Sequence, residues 1–458
     1  MKRIHIYTLI TAILFFGSCK KYVEIPPPQN QLVSQLIFTD DATATAAMVG
    51  LYSRMNGYNG SFANVAGNYF PAFSADEFHY GFSSANYDEF KENDLIPSNS
   101  NLNGLWEPVY SYIYHANSII EGLTDNTQIS EAVRKQVLGE ALFMRAFFYF
   151  YLVNHFGDVP LILNTDYKTN TLLPRSAASE VYAAIITDLK KAQTEISADY
   201  ASTERIRPNR AAVTTLLART YLYRQQWAEA EAEATKVITD TRYRLLDDLN
   251  TVFLKNSQET IWQLQTVNTS TAGVNTWEGF SIVPTPTGTP LYRFYPDFIG
   301  HFEAGDKRRT AWVAEFTNTA GTYHYPFKYK IRTNTTVLEY SMVMRFAEVF
   351  LIRAEARAQQ NNTSGAVDDL NEIRDRAGLE DLENTLPKDE VLLAVEKERK
   401  LELFSEWGHR WLDLKRTGRA LEVLSVVKPD IEANDLWYPI PLSAINTNPN
   451  LQQNPGYF

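Results

Sequence analysis

Residues 147–153 read Phe-Phe-Tyr-Phe-Tyr-Leu-Val, so every position in this stretch is apolar or aromatic. The stretch belongs to a longer segment in which Ser130 is typical of a helix N-cap and Gly157, followed by Pro160, is typical of a helix end. A helix that is apolar all round is stable only when other elements cover all of its faces. The sequence therefore predicts a long central helix that belongs to the core and holds no cofactor.

Most of the chain after Asp40 has apolar residues three or four positions apart, as on one face of an α-helix. This spacing is regular between Leu105 and Leu123. Further helices are predicted at 177–196, 209–224, 227–239, 340–359, 364–377 and 388–406. A short strand is predicted within 253–265, where residues 261–265 alternate. The predicted fold class is mainly α.

Two of the predicted helix pairs have the same spacing of small residues. Ala218 and Ala230 are 12 residues apart, and so are Ala354 and Ala366. Small residues at these positions let antiparallel helices approach closely, and the pattern resembles the tetratricopeptide repeat. The copies are 136 residues apart, so the repeat array would be interrupted. Ordinary helical hairpins packed through alanines are the alternative.

Two segments interrupt the helical pattern with aromatic residues among Gly, Asn, Ser and Pro. They are residues 58–100 and residues 266–339. Long irregular segments in a compact protein are usually functional or disordered, and the aromatic content argues against disorder. We therefore expect these two insertions to carry the function.

The N-terminus has the pattern of a secretory signal, with basic residues at 2–3, an apolar run at 4–16 and small residues before Cys19. Cys19 is the only cysteine, which excludes an intramolecular disulfide and a thiolate metal site. Its position resembles that of a lipobox cysteine, so we expect acyl chains on Cys19. The Pro-rich residues 25–30 predict an extended tether. The alternative is a plain signal peptide with an incidental cysteine.

The chain is acidic, with 43 basic and 54 acidic side chains in 458 residues. Removal of the signal would take two basic residues with it and leave a net charge of −13. An acidic body repels phosphate backbones, so nucleic-acid binding is not expected. The sequence also has no GxxxxGK[ST], GxGxxG or HExxH pattern.

Several segments, in their order along the chain, resemble the SusD/RagB family, the outer-membrane nutrient-binding lipoproteins of Bacteroidetes-type bacteria. Besides the lipobox and tether, they are residues 116–120 (ANSII), 139–149 (GEALFMRAFFY), 156–162 (FGDVPLI), 345–356 (RFAEVFLIRAEA), 398–403 (ERKLEL), 408–414 (GHRWLDL) and 438–441 (YPIP). Each segment alone is weak evidence for the family, but the occurrence of all of them in this order is specific to it.

The resemblance implies a superhelix of tetratricopeptide-like helix pairs with a large irregular, loop-rich ligand-binding insertion. It also implies a lipid-anchored protein of the outer membrane that binds an oligosaccharide and passes it to a TonB-dependent transporter of the SusC/RagA type, without catalysis or a cofactor. The alternatives are a peptide-binding member of the family, a helical-repeat scaffold for protein partners and a helical glycoside hydrolase.

The expected division of the chain follows from these patterns. Residues 1–18 form the signal, and residues 19–38 form the lipidated N-terminus and tether. Residues 39–265 form the first helical-repeat part, which includes the aromatic insertion 58–100. Residues 266–339 form the ligand-binding insertion, and residues 340–458 form the second helical-repeat part.

Sugar rings have apolar CH faces that aromatic side chains can cover, and hydroxyl groups that amides, carboxylates and guanidinium groups can bind. The candidate ligand-binding residues in the two insertions are therefore the aromatic Trp277, Tyr292, Tyr295, Tyr58, Tyr80 and Tyr87 with the polar Asn59, Asn275 and Arg293. For each aromatic residue the alternative is packing of the insertion onto the helices.

Carboxylates are grouped in two places. One group is Glu398, Glu402 and Glu406, near His409, and the other is the adjacent pair Asp76 and Glu77. Spacing at i, i+4 and i+8 would put the three glutamates on one helix face, where a metal ion or glycoside hydrolysis could be imagined. Basic residues at 399, 400 and 410 favour an ion-pair network instead. We expect neither a metal site nor catalysis here.

Overall fold

The computed structural model describes residues 38–267 and 272–457. The predicted signal, Cys19 and the tether lie outside the described residues. The described part of the chain is mainly helical, which confirms the predicted fold class.

The helices of the described residues vary from one turn to seven turns in length. In chain order they are α1 (Asp41–Met55), α2 (Gly67–Ser74), α3 (Ala85–Glu92), α4 (Ser100–Asn103), α5 (Glu107–Leu123), α6 (Glu131–Phe156), α7 (Tyr167–Asn170), α8 (Ala178–Glu195), α9 (Arg210–Tyr223), α10 (Trp227–Ile238), α11 (Trp277–Ile282), α12 (Lys307–Trp312), α13 (Phe346–Gln359), α14 (Thr363–Ala377), α15 (Lys388–Leu403), α16 (His409–Arg416), α17 (Ala420–Leu424) and α18 (Leu442–Thr447).

The long helices pack in succession, as in a repeat superhelix. Helix α5 contacts α6, α6 contacts α8, α8 contacts α9, and α9 contacts α10. The predicted repeat pairs are α9 with α10 and α13 with α14, and the four spaced alanines are completely buried. Because α10 also packs against α13, the two pairs are neighbours in space although they are far apart in sequence. The chain between the two pairs forms other elements, and the packing of the repeat helices continues directly from α10 to α13.

Helix α6 lies at the centre of the core, as predicted from its all-apolar stretch. Residues 147–153 are all buried. The ring of Phe147 contacts Trp262 and Trp407, with centroid distances of 5.4 and 5.2 Å. Among the described residues, α6 alone is long and apolar enough to cross a membrane, and it is buried as a core helix.

Six short strands in the described residues form three antiparallel ladders. These pair β1 (Phe78–Tyr80) with β3 (Tyr292–Phe294), β2 (Thr260–Leu264) with β6 (Ser341–Arg345), and β4 (Val313–Asn318) with β5 (Gly321–Pro326). The strand predicted within 253–265 is confirmed as β2. The helix predicted from residue 340 begins only at residue 346, because β6 precedes it. All side chains of β6 are buried, so its sequence has no polar face that would distinguish a strand from a buried helix.

The two insertions are more regular than expected. Residues 58–100 contain α2, α3 and β1, and residues 272–339 contain α11, α12 and three strands. The last predicted long helix also ends earlier, at Leu403 rather than residue 406. There Lys328 Nζ donates to the carbonyl oxygens of Glu402 and Phe404 at 2.7 and 2.8 Å. An ammonium group at this position complements the negative end of the helix dipole.

Candidate ligand-binding surface

The β1–β3 ladder joins the two aromatic insertions. Phe78 lies opposite Phe294, His79 opposite Arg293, and Tyr80 opposite Tyr292. Successive side chains of a strand point to opposite faces, so Tyr80 and Tyr292 lie on one face while Arg293 lies on the other. The ladder thus brings together predicted candidates that are more than 200 residues apart in sequence.

Beside this ladder, aromatic rings stack into a surface. The rings of Tyr80 and Tyr87 are nearly parallel, at 24° and 4.4 Å between centroids. The ring of Phe82 lies 6.0 Å from Tyr80 and is 47% exposed. Tyr80 and Tyr87 are partly exposed. We call Tyr80, Phe82 and Tyr87, together with Arg293 and Tyr323, the aromatic shelf.

Buried tyrosine and phenylalanine rings support the shelf from below. Tyr292 is only 4% exposed and stacks on Phe73 at 5.8 Å. Burial raises the pKa of the Tyr292 phenol, and its ring packs edge-on against that of Tyr80 at 5.9 Å between centroids. Tyr292 therefore supports Tyr80 and offers no face to a ligand. Its prediction as a platform needs this correction, because the β ladder turns its ring inward.

The guanidinium group of Arg293 lies against two rings of the shelf. Its guanidinium carbon lies 4.0 Å from the ring centroid of Tyr323 and 5.1 Å from that of Phe82. Its Nε donates to the carbonyl oxygen of Pro290 at 3.0 Å. The side chain also crosses Gly81, where an added Cβ would lie only 2.3 Å from Nε. Glycine at position 81 therefore leaves the space that the arginine fills.

Trp277 and Asn275 are buried rather than available to a ligand. Trp277 begins α11 and packs its ring edge-on against Phe280. Asn275 Oδ1 accepts from the backbone N–H groups of Leu338 and Glu339, at 2.6 and 2.9 Å. Both residues fix the loops of the second insertion, which corrects their prediction as ligand-binding residues. The sequence marks them as aromatic and polar but does not show that other loop segments cover them.

Tyr58 and Asn59 lie apart from the β1–β3 ladder, in the turn after α1. Tyr58 is 57% exposed, so its ring is available to a ligand. Asn59 Oδ1 accepts from the hydroxyl of Ser281 at 2.9 Å, which joins the two insertions at a second place. Tyr295 follows β3, with its ring 5.2 Å from that of His79.

The sequence patterns predict neither Phe82 nor Tyr323 as a ligand-binding residue. Phe82 stands in the aromatic segment 58–87, where nothing local separates exposed rings from buried ones. Tyr323 lies on β5, and it reaches Arg293 because the β4–β5 hairpin packs on β3. This contact depends on tertiary structure. For Phe82, the adjacent Gly81 and the polar residues after it are the available signal of exposure.

A buried ion-pair network contains Glu398, Glu402 and Glu406, which confirms the structural interpretation of this group. Glu402 Oε1 accepts from Arg345 Nη1 at 2.5 Å and from Arg376 Nη2, and Oε2 lies 3.4 Å from Arg308 Nη1. Burial raises the pKa of this carboxyl, but the three guanidinium groups outweigh burial and hold the pKa well below its usual range. The carboxylate is completely buried, so no substrate can reach it.

The basic residues that neighbour these glutamates in sequence bind other partners. Arg399 Nε donates to Asp413 at 2.6 Å. Lys400 Nζ and Arg410 Nε donate to Asp76, at 2.9 and 2.7 Å. Adjacent residues of a helix point in different directions, which is why sequence proximity indicated the network but not its pairs. Asp76 is thereby structural, as expected.

The other carboxyl of that adjacent pair, Glu77, is buried. Burial and the neighbouring Asp76 raise the pKa of Glu77 to about 8. Within residues 38–267 and 272–457, no group of three or more His, Cys, Asp or Glu side chains is arranged to hold a metal ion.

Comparisons with known proteins identify the family. A SusD-like family model described as "Starch-binding associating with outer membrane" matches residues 22–222, and a model described as "SusD family" matches residues 315–457. The first match extends to α9, and the second extends from β4 through the second helical part. The chain is a member of the SusD family.

Relatives and solved structures agree with this assignment. This SusD-family chain is 24% identical to SusD-like protein P25 of Formosa agariphila over the full length of both chains. It is 28% identical to SusD-like protein P2 of the same organism, over 78% of this chain and 81% of that protein. A solved laminarin-binding SusD-like protein is 25% identical, with a TM-score of 0.79 over 92% of this chain and 100% of that chain.

The fold is also that of a SusD superfamily protein from Bacteroides vulgatus. The TM-score to that structure is 0.79, at 22% identity, over 92% of this SusD-family chain and 100% of the other. The tetratricopeptide-like arrangement of helices predicted from the alanine spacing is consistent with these structures.

Proposed function

We propose that this SusD-family protein binds an oligosaccharide on the aromatic shelf. The observation that carries the proposal is the partly exposed stack of Tyr80, Phe82 and Tyr87 on a rigid ladder. An exposed aromatic face can cover the apolar CH face of a sugar ring and remove both surfaces from water. The support from Tyr292 fixes the rings before binding, so little side-chain entropy is lost.

Relatives give the ligand class some support. One solved relative is named as laminarin-binding, and another is named as surface glycan-binding protein A from Bacteroides thetaiotaomicron. The carboxylates of the chain that could suggest glycosidase chemistry, Glu402 and Asp76, are held by buried arginine and lysine side chains. We therefore propose binding without hydrolysis.

The place of action follows from family membership and the predicted N-terminus. One matching family model is described as associating with the outer membrane. We propose that acyl chains on Cys19 anchor the protein there, on the cell surface. We further propose that the bound oligosaccharide passes to a TonB-dependent transporter of the SusC/RagA type.

Isothermal titration calorimetry with a panel of oligosaccharides tests the proposed site. Replacing Phe82 with Ala should weaken binding about tenfold or more, because burial of a large aromatic side chain contributes roughly 1.5 to 3 kcal/mol. Tyr80→Ala should act in the same direction. Tyr167→Ala is the matched control, since Tyr167 is an exposed tyrosine on α7, outside the shelf.

The panel also includes short peptides, which separate the alternatives. If the protein binds peptides but no sugar, the ligand is a peptide rather than an oligosaccharide, and the peptide-binding alternative is favoured. If the Phe82 and Tyr167 variants bind a sugar equally well, the aromatic shelf is not the site. If neither sugars nor peptides bind, the scaffold alternative is favoured.

A further inference from the structure

Arg293 has no acidic partner among the described residues, although it is part of a preorganised group. Its Nε is used by the carbonyl oxygen of Pro290. Its two Nη groups make no hydrogen bond to another described residue, and the residue is partly exposed. They present a fixed pair of donors at the edge of the aromatic shelf.

Three contacts hold the guanidinium group. The rings of Phe82 and Tyr323 lie close to its carbon, and Nε donates to the carbonyl oxygen of Pro290. The space over Gly81 accommodates its stem. A planar fork held in this way matches the two oxygens of a carboxylate or sulfate group better than it matches a single hydroxyl.

Two other arginines of this protein show what a guanidinium fork binds here. Arg219 donates from Nε and Nη2 to both oxygens of Glu348, each at 2.6 Å. Arg353 likewise donates to both oxygens of Asp369. The Nε of Arg293 is used by Pro290, so this side chain offers the end-on fork of its two Nη groups instead, and no carboxylate of the described chain occupies it.

Two acidic side chains on elements beside the shelf have partners other than Arg293. Asp88, on α3, accepts from the backbone N–H of Ser84 at 2.9 Å. Glu315, on β4, lies 3.2 Å from His324 Nε2 on β5. Arg293 is partly exposed and is not a partner of either carboxylate, on a protein whose overall charge is negative.

Resting on the proposed function, we infer that the ligand is an acidic oligosaccharide whose anionic substituent binds the Nη groups of Arg293. The sugar ring that carries the substituent, or its neighbour, lies against the faces of Phe82 and Tyr80. The anionic substituent is a uronate carboxylate or a sulfate ester, which share the oxygens that the fork requires. Long-range repulsion from the acidic protein is small at physiological salt, because charges beyond about 8 Å are largely screened.

Matched pairs of oligosaccharides test this inference by calorimetry. Oligogalacturonides and oligomannuronates are compared with their neutral methyl esters, and sulfated galactan fragments are compared with desulfated ones. We expect at least one acidic member to bind about tenfold or more tighter than its neutral partner, since hydrogen bonds to charged groups contribute that much. The arm that shows the preference identifies carboxylate or sulfate.

Variants of Arg293 assign the preference to this side chain. Arg293→Gln should abolish the difference between acidic and neutral ligands while leaving the weaker neutral binding. Arg293→Lys should retain part of the difference, because a lysine keeps the charge but not the fork. Arg332→Gln is the control, since Arg332 also lies over a ring, that of Phe280, and donates to backbone carbonyls. Circular dichroism checks that each variant is folded.

The outcomes separate this inference from the proposed function. If a neutral oligosaccharide binds as tightly as its acidic partner, or if Arg293→Gln leaves the preference intact, the inference is overturned while glycan binding stands. If no oligosaccharide of either kind binds, the proposed function fails and the inference with it. A preference that disappears equally in Arg332→Gln would show a general charge effect and would also overturn the assignment to Arg293.

Discussion

Replacing Glu402 with Gln should strongly destabilise the fold. The substitution keeps the side-chain volume but removes a completely buried negative charge from contact with Arg308, Arg345 and Arg376. Breaking a buried ion pair by removing one partner typically costs about 3 to 5 kcal/mol, because the remaining charges stay buried without compensation. That loss is a large part of the roughly 5 to 15 kcal/mol by which a folded protein is stable.

Urea unfolding followed by circular dichroism measures this loss. Glu422→Gln is the control, because Glu422 is exposed and pairs with Arg419 at the surface, where a pair contributes roughly 1 kcal/mol or less. The pKa of Glu402 is lowered on folding, so its stabilisation is present above its ordinary value of 4.5 and is lost as the pH falls. The difference between wild type and the Glu402 variant should therefore shrink below that pH. Equal unfolding midpoints at neutral pH would refute the reasoning.

Three further results are expected. Burial raises the pKa of Glu278 and Glu339 to about 7, so their contribution to stability should fall as the pH rises from about 4.5 through 7. Variants with Gln at both positions should lose this pH dependence of stability. A pH profile like that of wild type would contradict this expectation. Lys328→Met should cost about 2 to 3 kcal/mol, because the carbonyl oxygens that end α15 lose their charged donor; an unfolding midpoint like that of wild type would contradict the capping role. Cys19→Ala should move the protein from the detergent phase to the aqueous phase in Triton X-114 partitioning, and unchanged partitioning would exclude the lipid anchor.

The helical body was predictable because its periodicity is a local property. The all-apolar stretch of α6 and the spacing of Ala218, Ala230, Ala354 and Ala366 are visible without any tertiary information. That α10 packs against α13 was not predictable from that spacing, since the interruption between the pairs hides it. For β6, burial of every side chain removed the alternation by which a strand is recognised.

The candidate surface was only partly predictable, for a different reason. The sequence indicated which segments are aromatic, and β1–β3 pairing brings Tyr80 and Arg293 onto neighbouring strands, with their side chains on opposite faces. Whether a ring faces solvent depends on what covers it, as the contrast between buried Tyr292 and exposed Phe82 shows. The contact between Tyr323 and Arg293 depends on the packing of a hairpin, which no local pattern records.

Saturation-transfer difference NMR of the purified protein with its oligosaccharide tests the central claim most directly. Saturating aromatic protons of the protein should transfer magnetisation to ring CH protons of the sugar, and the transfer should be much weaker in the Phe82→Ala variant. The oligosaccharide spectrum should remain unchanged over days. Equal transfer in the variant would show that the ligand does not bind at the aromatic shelf. The appearance of new reducing-end signals would show that the protein cleaves the oligosaccharide that we propose it only binds.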